Sequence, residues 1–160
     1  MINRFLIVVL LLSSCHSQKK SALSDEFKTN LTEAAAQYKI LMKNLPPGKF
    51  PKTYFPKTGQ YEFSNSGWWC SGFYPATLLY LYEATKDKSL YDEAMRIMDT
   101  LKKEQFNKNT HDLGFMMYCP FGNANRIAPK PEYKEILLNS AKSLSTRFNP
   151  TVGSIKSCSQ

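Results

Sequence analysis

Phe73-Tyr74-Pro75-Ala76-Thr77-Leu78-Leu79-Tyr80-Leu81-Tyr82-Glu83-Ala84-Thr85 is apolar almost all round at helical spacing. A helix with almost no polar face must be surrounded by protein. Pro75 suits its first turn, where a missing N–H costs nothing. The stretch reads as an inner helix, and an inner helix needs an outer layer to cover it.

Three further helices supply candidates for that layer. The first is expected from Ser24 to Leu45, with Phe27, Leu31, Ala34, Tyr38, Leu41 and Leu45 on one stripe. Ser24 suits its N-cap, Asp25 and Glu26 favour the positive helix start, and Pro46-Pro47-Gly48 ends it. Another runs from Leu90 to Phe106, with Ser89 as cap, Asp92 in the reciprocal position, and Leu90, Ala94, Ile97, Met98 and Leu101 inward. The last runs from Glu132 to Arg147 between Pro131 and Asn149-Pro150, with Tyr133, Leu137, Ala141, Leu144 and Phe148 on one face. The fold class is all-α. No strict repeat is visible, but helical hairpins suggest an α/α solenoid or toroid. No further element is expected after Pro150.

Two long segments separate the helices, Pro46 to Gly72 and Asn107 to Lys130. The first holds Phe50, Tyr54, Phe55, Tyr61, Phe63, Trp68 and Trp69, and some of it is expected to form short β structure. The second opens on Thr110-His111-Asp112-Leu113-Gly114-Phe115. Long loops inside a helical domain are usually functional or disordered, and this one is too aromatic for disorder.

The N-terminus reads as a targeting segment. Asn3-Arg4 precede an apolar run, Phe5 to Leu12, too short to span a bilayer as a mature helix. Leu12-Ser13-Ser14-Cys15 has the form of a bacterial lipobox, in which the Cys thiol carries the lipid. Residues 1–14 are expected to be a lipoprotein signal peptide, 15–23 a tether, and 24–160 the folded part. Lys19 and Lys20 follow the anchor without an acidic tract, which favours the periplasmic side of the bacterial envelope.

With Cys15 lipidated, Cys70, Cys119 and Cys158 remain. That odd number without C-x-x-C spacing supports neither a disulfide framework nor a zinc site, and buried free thiols are the expectation. His16 and His111 are the only histidines, so no metal site and no cofactor are expected. The net charge of +8 points to anionic partners. No long Lys/Arg run is present, and nucleic acid is not an expected partner.

Asp112 is the candidate acid: an apolar surrounding of Leu113, Gly114, Phe115, Met116 and Met117 could raise its pKa for general-acid work. The plainer role is a turn cap. His111 could hydrogen-bond substrate oxygens or simply be a satisfied loop residue. Trp68, Trp69, Phe73 and Tyr74 could wall a sugar site, since aromatic faces match the C–H faces of pyranoses, or could be core. Lys49, Lys52 and Lys57 flank that cluster and could attract a carboxylate or sulfate, or serve solubility alone.

Asn109 to Ala124, NTHDLGFMMYCPFGNA, resembles the signature of the family 88 glycoside hydrolases, the unsaturated glucuronyl hydrolases. Trp69-Cys70-Ser71-Gly72-Phe73-Tyr74-Pro75 resembles the family's W-x-S-G-F-x-P segment, and Ala141 to Gly153, AKSLSTRFNPTVG, matches in style and position. The resemblance implies a partial six-hairpin (α/α) toroid, about the first four of twelve helices. It implies removal of an unsaturated uronic acid from lyase-generated oligosaccharides by hydration of the C4=C5 bond. By the same resemblance Asp112 is one of two catalytic aspartates, His111 a substrate contact and Trp69 a wall of the sugar subsite. The second aspartate, the main proton donor, is expected downstream of the RFNP-x-VG stretch and outside this sequence. The chain is accordingly expected to be an inactive N-terminal fragment. The competing expectations are a non-catalytic glycan-binding lipoprotein and a helical-repeat scaffold that binds protein. A related family acting on unsaturated rhamnogalacturonan products shares the toroid.

Overall fold

The computed structural model describes residues 3–157, with side chains from residue 24 onward. Helix α1 spans Asn3–Asn44, β1 Phe50–Phe55, β2 Gln60–Ser64, α2 Phe73–Thr85 and α3 Lys88–Leu101, which continues as a 3-10 turn over Lys102–Phe106. Helix α4 is Leu113–Met117, a π-turn covers Tyr118–Gly122, α5 is Asn123–Ile127, α6 is Pro131–Ser145, and a short hairpin pairs β3 (Phe148–Asn149) with β4 (Ser154–Ile155). The side chain of Cys15 and the structure around Cys158 lie outside the described residues, as do the side chains of the expected signal and tether. Among the described residues no helix is long and apolar enough to cross a membrane.

Helix α2 is the centre, as its apolar circumference requires. Leu78 and Leu79 are fully buried, Tyr74, Ala76 and Leu81 nearly so. Its coverage is one-sided all the same: Phe73 and Tyr80 stay more than a third exposed, so one α2 face is open. Helix α3 presents Leu90, Ala94, Ile97, Met98 and Leu101 to the core, the stripe its spacing predicts. Its cap is Asp87 rather than Ser89. The Asp87 carboxylate accepts from both the backbone N–H and the hydroxyl of Ser89.

Helix α1 packs only from Ala34 onward; Phe27 and Leu31, placed by spacing on the buried stripe, are exposed. Helix α6 is rotated from its expected register. Tyr133, Ile136, Ser140 and Ser143 are buried, while Ala141 and Phe148 are exposed. The reason is polar: the Ser143 hydroxyl donates to the Gln105 carbonyl at 2.7 Å, and Asn139 donates to the Gln105 side chain at 2.9 Å. Small hydroxylated residues let α6 approach the 3-10 turn closely.

The greatest departure is the segment Asn107 to Lys130, expected as a long loop. Most of it winds into a helical rod, α4, π-turn and α5. Pro120 removes the N–H that would bond the carbonyl four residues back, and the ladder widens around it. The hairpin β1–β2 confirms short β structure in the first long segment. Its register slips between Pro51 and Thr53, leaving Lys52 as the extra residue of a bulge. Strand β4 forms past Pro150, where no element was expected, and pairs back on β3 through a turn with Gly153 at φ +65°.

Candidate carbohydrate site

The sequence reaches α2 through a run of tight turns. Trp68 N–H donates to the Asn65 carbonyl, Ser71 N–H to Trp68, and Phe73 N–H to Cys70. This winding throws the rings of Trp68, Trp69 and Phe73 outward. Trp68 and Trp69 have centroids 6.4 Å apart, Trp69 meets Phe73 edge-on at 5.9 Å, and Phe73 meets Phe115 at 5.7 Å. All four are exposed to solvent. They form a continuous aromatic wall from the β1–β2 hairpin to α4.

Tyr74 does not join it. One residue on from Phe73 turns the side chain inward, where Tyr74 stacks on Tyr38 at 5.9 Å and donates its hydroxyl to Glu93 at 3.2 Å. Phe115 takes its place in the wall. Sequence reading missed Phe115, although it stands three residues after Asp112, the spacing that puts two side chains on one helix face.

On the other side, short polar turns deliver His111 and Asp112. Asn109 N–H donates to the Asn107 side chain and Asp112 N–H to the Thr110 hydroxyl, at 2.9 and 3.0 Å. Asp112 occupies the N-cap position of α4, yet its carboxylate makes no capping hydrogen bond. It lies instead 3.4 Å from His111 Nε2, an ion pair only when the imidazole is protonated. The Asp112 side chain is 20% exposed and that of His111 37%, so both are reachable from solvent.

Wall and acid are brought together by Gly72. A side-chain carbon there would fall 2.3 Å from the Phe115 carbonyl oxygen and 2.4 Å from that of Met116, so only glycine lets α2 start against α4. Cys70 records the closeness. Burial pushes its thiol pKa up, a hydrogen bond from Trp68 opposes this, and the charge of Asp112 adds to the rise. Cys70 and Cys119 are both free thiols, partly rather than fully buried. Ser71, between Cys70 and Gly72, is 1% exposed, and its hydroxyl has no hydrogen-bond partner among the described residues.

At the far end of the wall the bulge aims Lys52 over the Trp68 ring, 5.1 Å from its centroid, while Lys52 also pairs with Glu62. Lys49, Lys52, Asn65 and Trp68 line an open cleft of about 350 Å³, room for about one sugar ring. Lys57 falls in the turn of the hairpin, away from this cleft. Wall, carboxylate, imidazole and lysine together can stack a pyranose, hold its hydroxyls and attract an anionic substituent.

No family model matches the chain. An unsaturated glucuronyl hydrolase of Formosa agariphila is 39% identical over 90 residues, 56% of this chain and 22% of the relative. The crystal structure of an unsaturated glucuronyl hydrolase specific for heparin superposes with a TM-score of 0.76 at 38% identity, over 83% of this chain and 36% of that one. The enzyme from Streptococcus agalactiae superposes at 0.68 with 21% identity, over 83% and 35%. A mutant of it, complexed with dGlcA-GalNAc6S, superposes at 0.60 with 22% identity, over 74% and 32%. The fold is thus the helical toroid of these hydrolases in part: the chain spans about a third or less of the length of the proteins it matches, over their N-terminal part.

Proposed function

From a chain that shares sequence and fold with the N-terminal part of the unsaturated glucuronyl hydrolases, we infer that it supplies one half of a site hydrating the C4=C5 bond of unsaturated uronic acids. The reading rests chiefly on one observation: Gly72 docks the Trp69–Phe73 wall against α4, the helix that has Asp112 at its N-cap position.

In this reaction a proton is added at C4 of the vinyl ether, and water adds at C5. The resulting hemiketal opens to a keto group, and the neighbouring sugar leaves with the former glycosidic oxygen. Asp112 is assigned to hold ring hydroxyls and offset the positive charge that develops during protonation. His111 bonds a substrate oxygen, and Trp69 and Phe73 carry the ring face. The proton donor is assigned to a second aspartate outside this sequence. The chain alone is therefore proposed to bind the unsaturated sugar and not to turn it over. The partner is an unsaturated uronate oligosaccharide, and the bulge lysine Lys52 supports an anionic one.

Two titrations test this. Trp68 and Trp69 are the only tryptophans, so adding dGlcA-GalNAc6S should quench intrinsic emission saturably. Trp69→Ala and Asp112→Asn should each weaken binding by about tenfold or more, the worth of one stacking or charged contact. Binding unchanged in both variants would overturn the site. Loss of double-bond absorbance with the purified chain would overturn the assignment of the proton donor.

A second reading, a non-catalytic glycan-binding lipoprotein, is favoured by the exposure of the Trp68, Trp69, Phe73 and Phe115 rings. It predicts sugar binding that survives Asp112→Asn. We also propose that Cys15 carries a lipid that holds the protein on the periplasmic side of the envelope. Labelled fatty acid should enter the wild type and not Cys15→Ser; equal labelling would refute the anchor.

A further inference from the structure

Glu104 lies in the 3-10 turn after α3, only 9% exposed, under the two segments that form the site. Its Oε1 accepts from the Ser66 hydroxyl at 2.6 Å, and its Oε2 accepts from the Asn107 side-chain amide at 2.9 Å. Both partners are neutral. A buried carboxylate held, among the described residues, by neutral donors alone is an expensive way to stabilise a fold, so its location matters.

Ser66 belongs to the turns that carry Trp68 and Trp69. Its neighbour Asn65 receives Gly67 N–H on its side chain and Trp68 N–H on its carbonyl. Gly67 itself lies against the Glu104 carboxylate, since a side-chain carbon there would come within 4.0 Å of Oε2. Asn107 begins the segment that ends in His111 and Asp112, and its backbone N–H also donates to the Glu104 carbonyl at 2.9 Å. The next residue is fixed separately: the Lys108 carbonyl accepts from Arg147 Nη1 at 2.8 Å. One carboxylate thus has one oxygen on the wall segment and the other on the acid segment. Charge-assisted hydrogen bonds are the strong ones, and a short side chain gripping both leaves little play between them.

We propose that Glu104 is a positioning residue for the sugar site, fixing the separation between the Trp68–Trp69 wall and the His111–Asp112 pair. Its role in substrate binding rests on the reading of that site given above; its role in fixing the wall does not. Glu104 touches no sugar. It acts through Ser66 and Asn107, in the way that buried supporting groups hold a binding constellation.

The test uses the full chain and its two tryptophans, which both lie in the wall. Glu104→Ala, Glu104→Gln and Ser66→Ala are compared with wild type by acrylamide quenching of tryptophan emission, with far-ultraviolet circular dichroism as the measure of fold. Glu104→Ala and Ser66→Ala are expected to raise the quenching constant about twofold at unchanged helical signal, as a released segment samples open states. Glu104→Gln keeps an oxygen for Ser66 but turns an amide toward the Asn107 amide, so it is expected to restore the wild-type value in part. If Glu104→Ala does not fold, Ser66→Ala decides, because it removes one hydroxyl and leaves the carboxylate in place. Wild-type quenching in Ser66→Ala overturns the proposal, as does a Glu104→Gln protein no better than Glu104→Ala. In titrations with dGlcA-GalNAc6S, Ser66→Ala should lose affinity about fivefold through misplacement of the wall. Wild-type affinity in a variant whose quenching has risen overturns the role in binding. A wild-type chain that binds no sugar defeats the carbohydrate reading alone, since the quenching comparison needs no ligand.

Discussion

Gly72 and Met116 meet backbone to backbone, so that a methyl group on Gly72 would stand 2.4 Å from the Met116 carbonyl oxygen. That oxygen and its Phe115 neighbour belong to α4 and cannot swing away as a side chain end could. Gly72→Ala must therefore push α2 from α4. Overpacking of this kind costs about 1–3 kcal/mol, and equilibrium denaturation should show it. Tryptophan emission should change with it, because Trp69 and Phe73 ride on the displaced end. A variant as stable as wild type with unaltered emission would show that the contact is not tight.

Tyr74 and Phe73 are neighbours in sequence and opposites in role. The Tyr74 hydroxyl donates to Glu93, whose carboxylate is also held by Arg96 through two bonds of 2.7 Å. Burial, then the charge of Glu93 and the hydrogen bond to it, push the Tyr74 hydroxyl well above its ordinary value of 10.0. Folded protein thus keeps a proton that unfolded protein releases above about pH 10, and stability from this group is lost as pH rises beyond that point. Tyr74→Phe should cost about 1–2 kcal/mol near neutrality and should flatten the alkaline loss. The proposed sugar binding should be unaffected, in contrast with Phe73→Ala. Chemical denaturation at pH 7 and pH 11 separates these outcomes.

The helices that could be read directly are those whose own periodicity decides them. Helix α2 has almost no polar residue to expose, and α3 has one clean stripe, so local pattern and tertiary packing agree. The rod from Leu113 to Ile127 was illegible for the opposite reason. Gly114, Pro120 and Gly122 each signal a break, and no piece exceeds five residues. What makes it helical is packing: Leu113, Met116, Met117 and Phe121 are fully buried against α2 and α6. Of the proposed site, Trp69, His111 and Asp112 are named from residue type and motif. Their meeting through Gly72, and the carboxylate of Glu104 beneath, depend on contacts between distant segments that no spacing encodes.

Lys86 ends α2 with φ +60°, a left-handed conformation that suits glycine and costs a residue with a Cβ. Its N–H closes the helix on the Tyr82 carbonyl at 2.7 Å, a bond that any residue but proline would keep. Lys86→Gly should therefore stabilise the protein by about 0.5–1 kcal/mol, the relief of strain exceeding the added freedom of the unfolded chain. A rise in melting temperature is the expected readout. A fall would mean that the Lys86 side chain contributes more than its backbone strain costs.

Asp87, the next residue, ties two elements together. It caps α3 through Ser89 and pairs with Lys39 of α1. The Lys39 hydrogen bond first, then those from Ser89, hold its carboxyl down to about 2, against an ordinary 3.8. The folded value lies below the unfolded one, so the stabilisation is fully present above about pH 4 and is lost as pH falls toward and through 2. Asp87→Ala should cost about 1 kcal/mol at neutral pH from the cap alone. The gap between wild type and variant should then close on acidification. Lys39→Met separates the two contributions: it leaves the cap, removes the ion pair, and should move the acid midpoint of the remaining loss upward toward 3.8. Denaturation of the three proteins from pH 7 to pH 2 decides this, and a wild-type advantage that persists undiminished at pH 2 would contradict it.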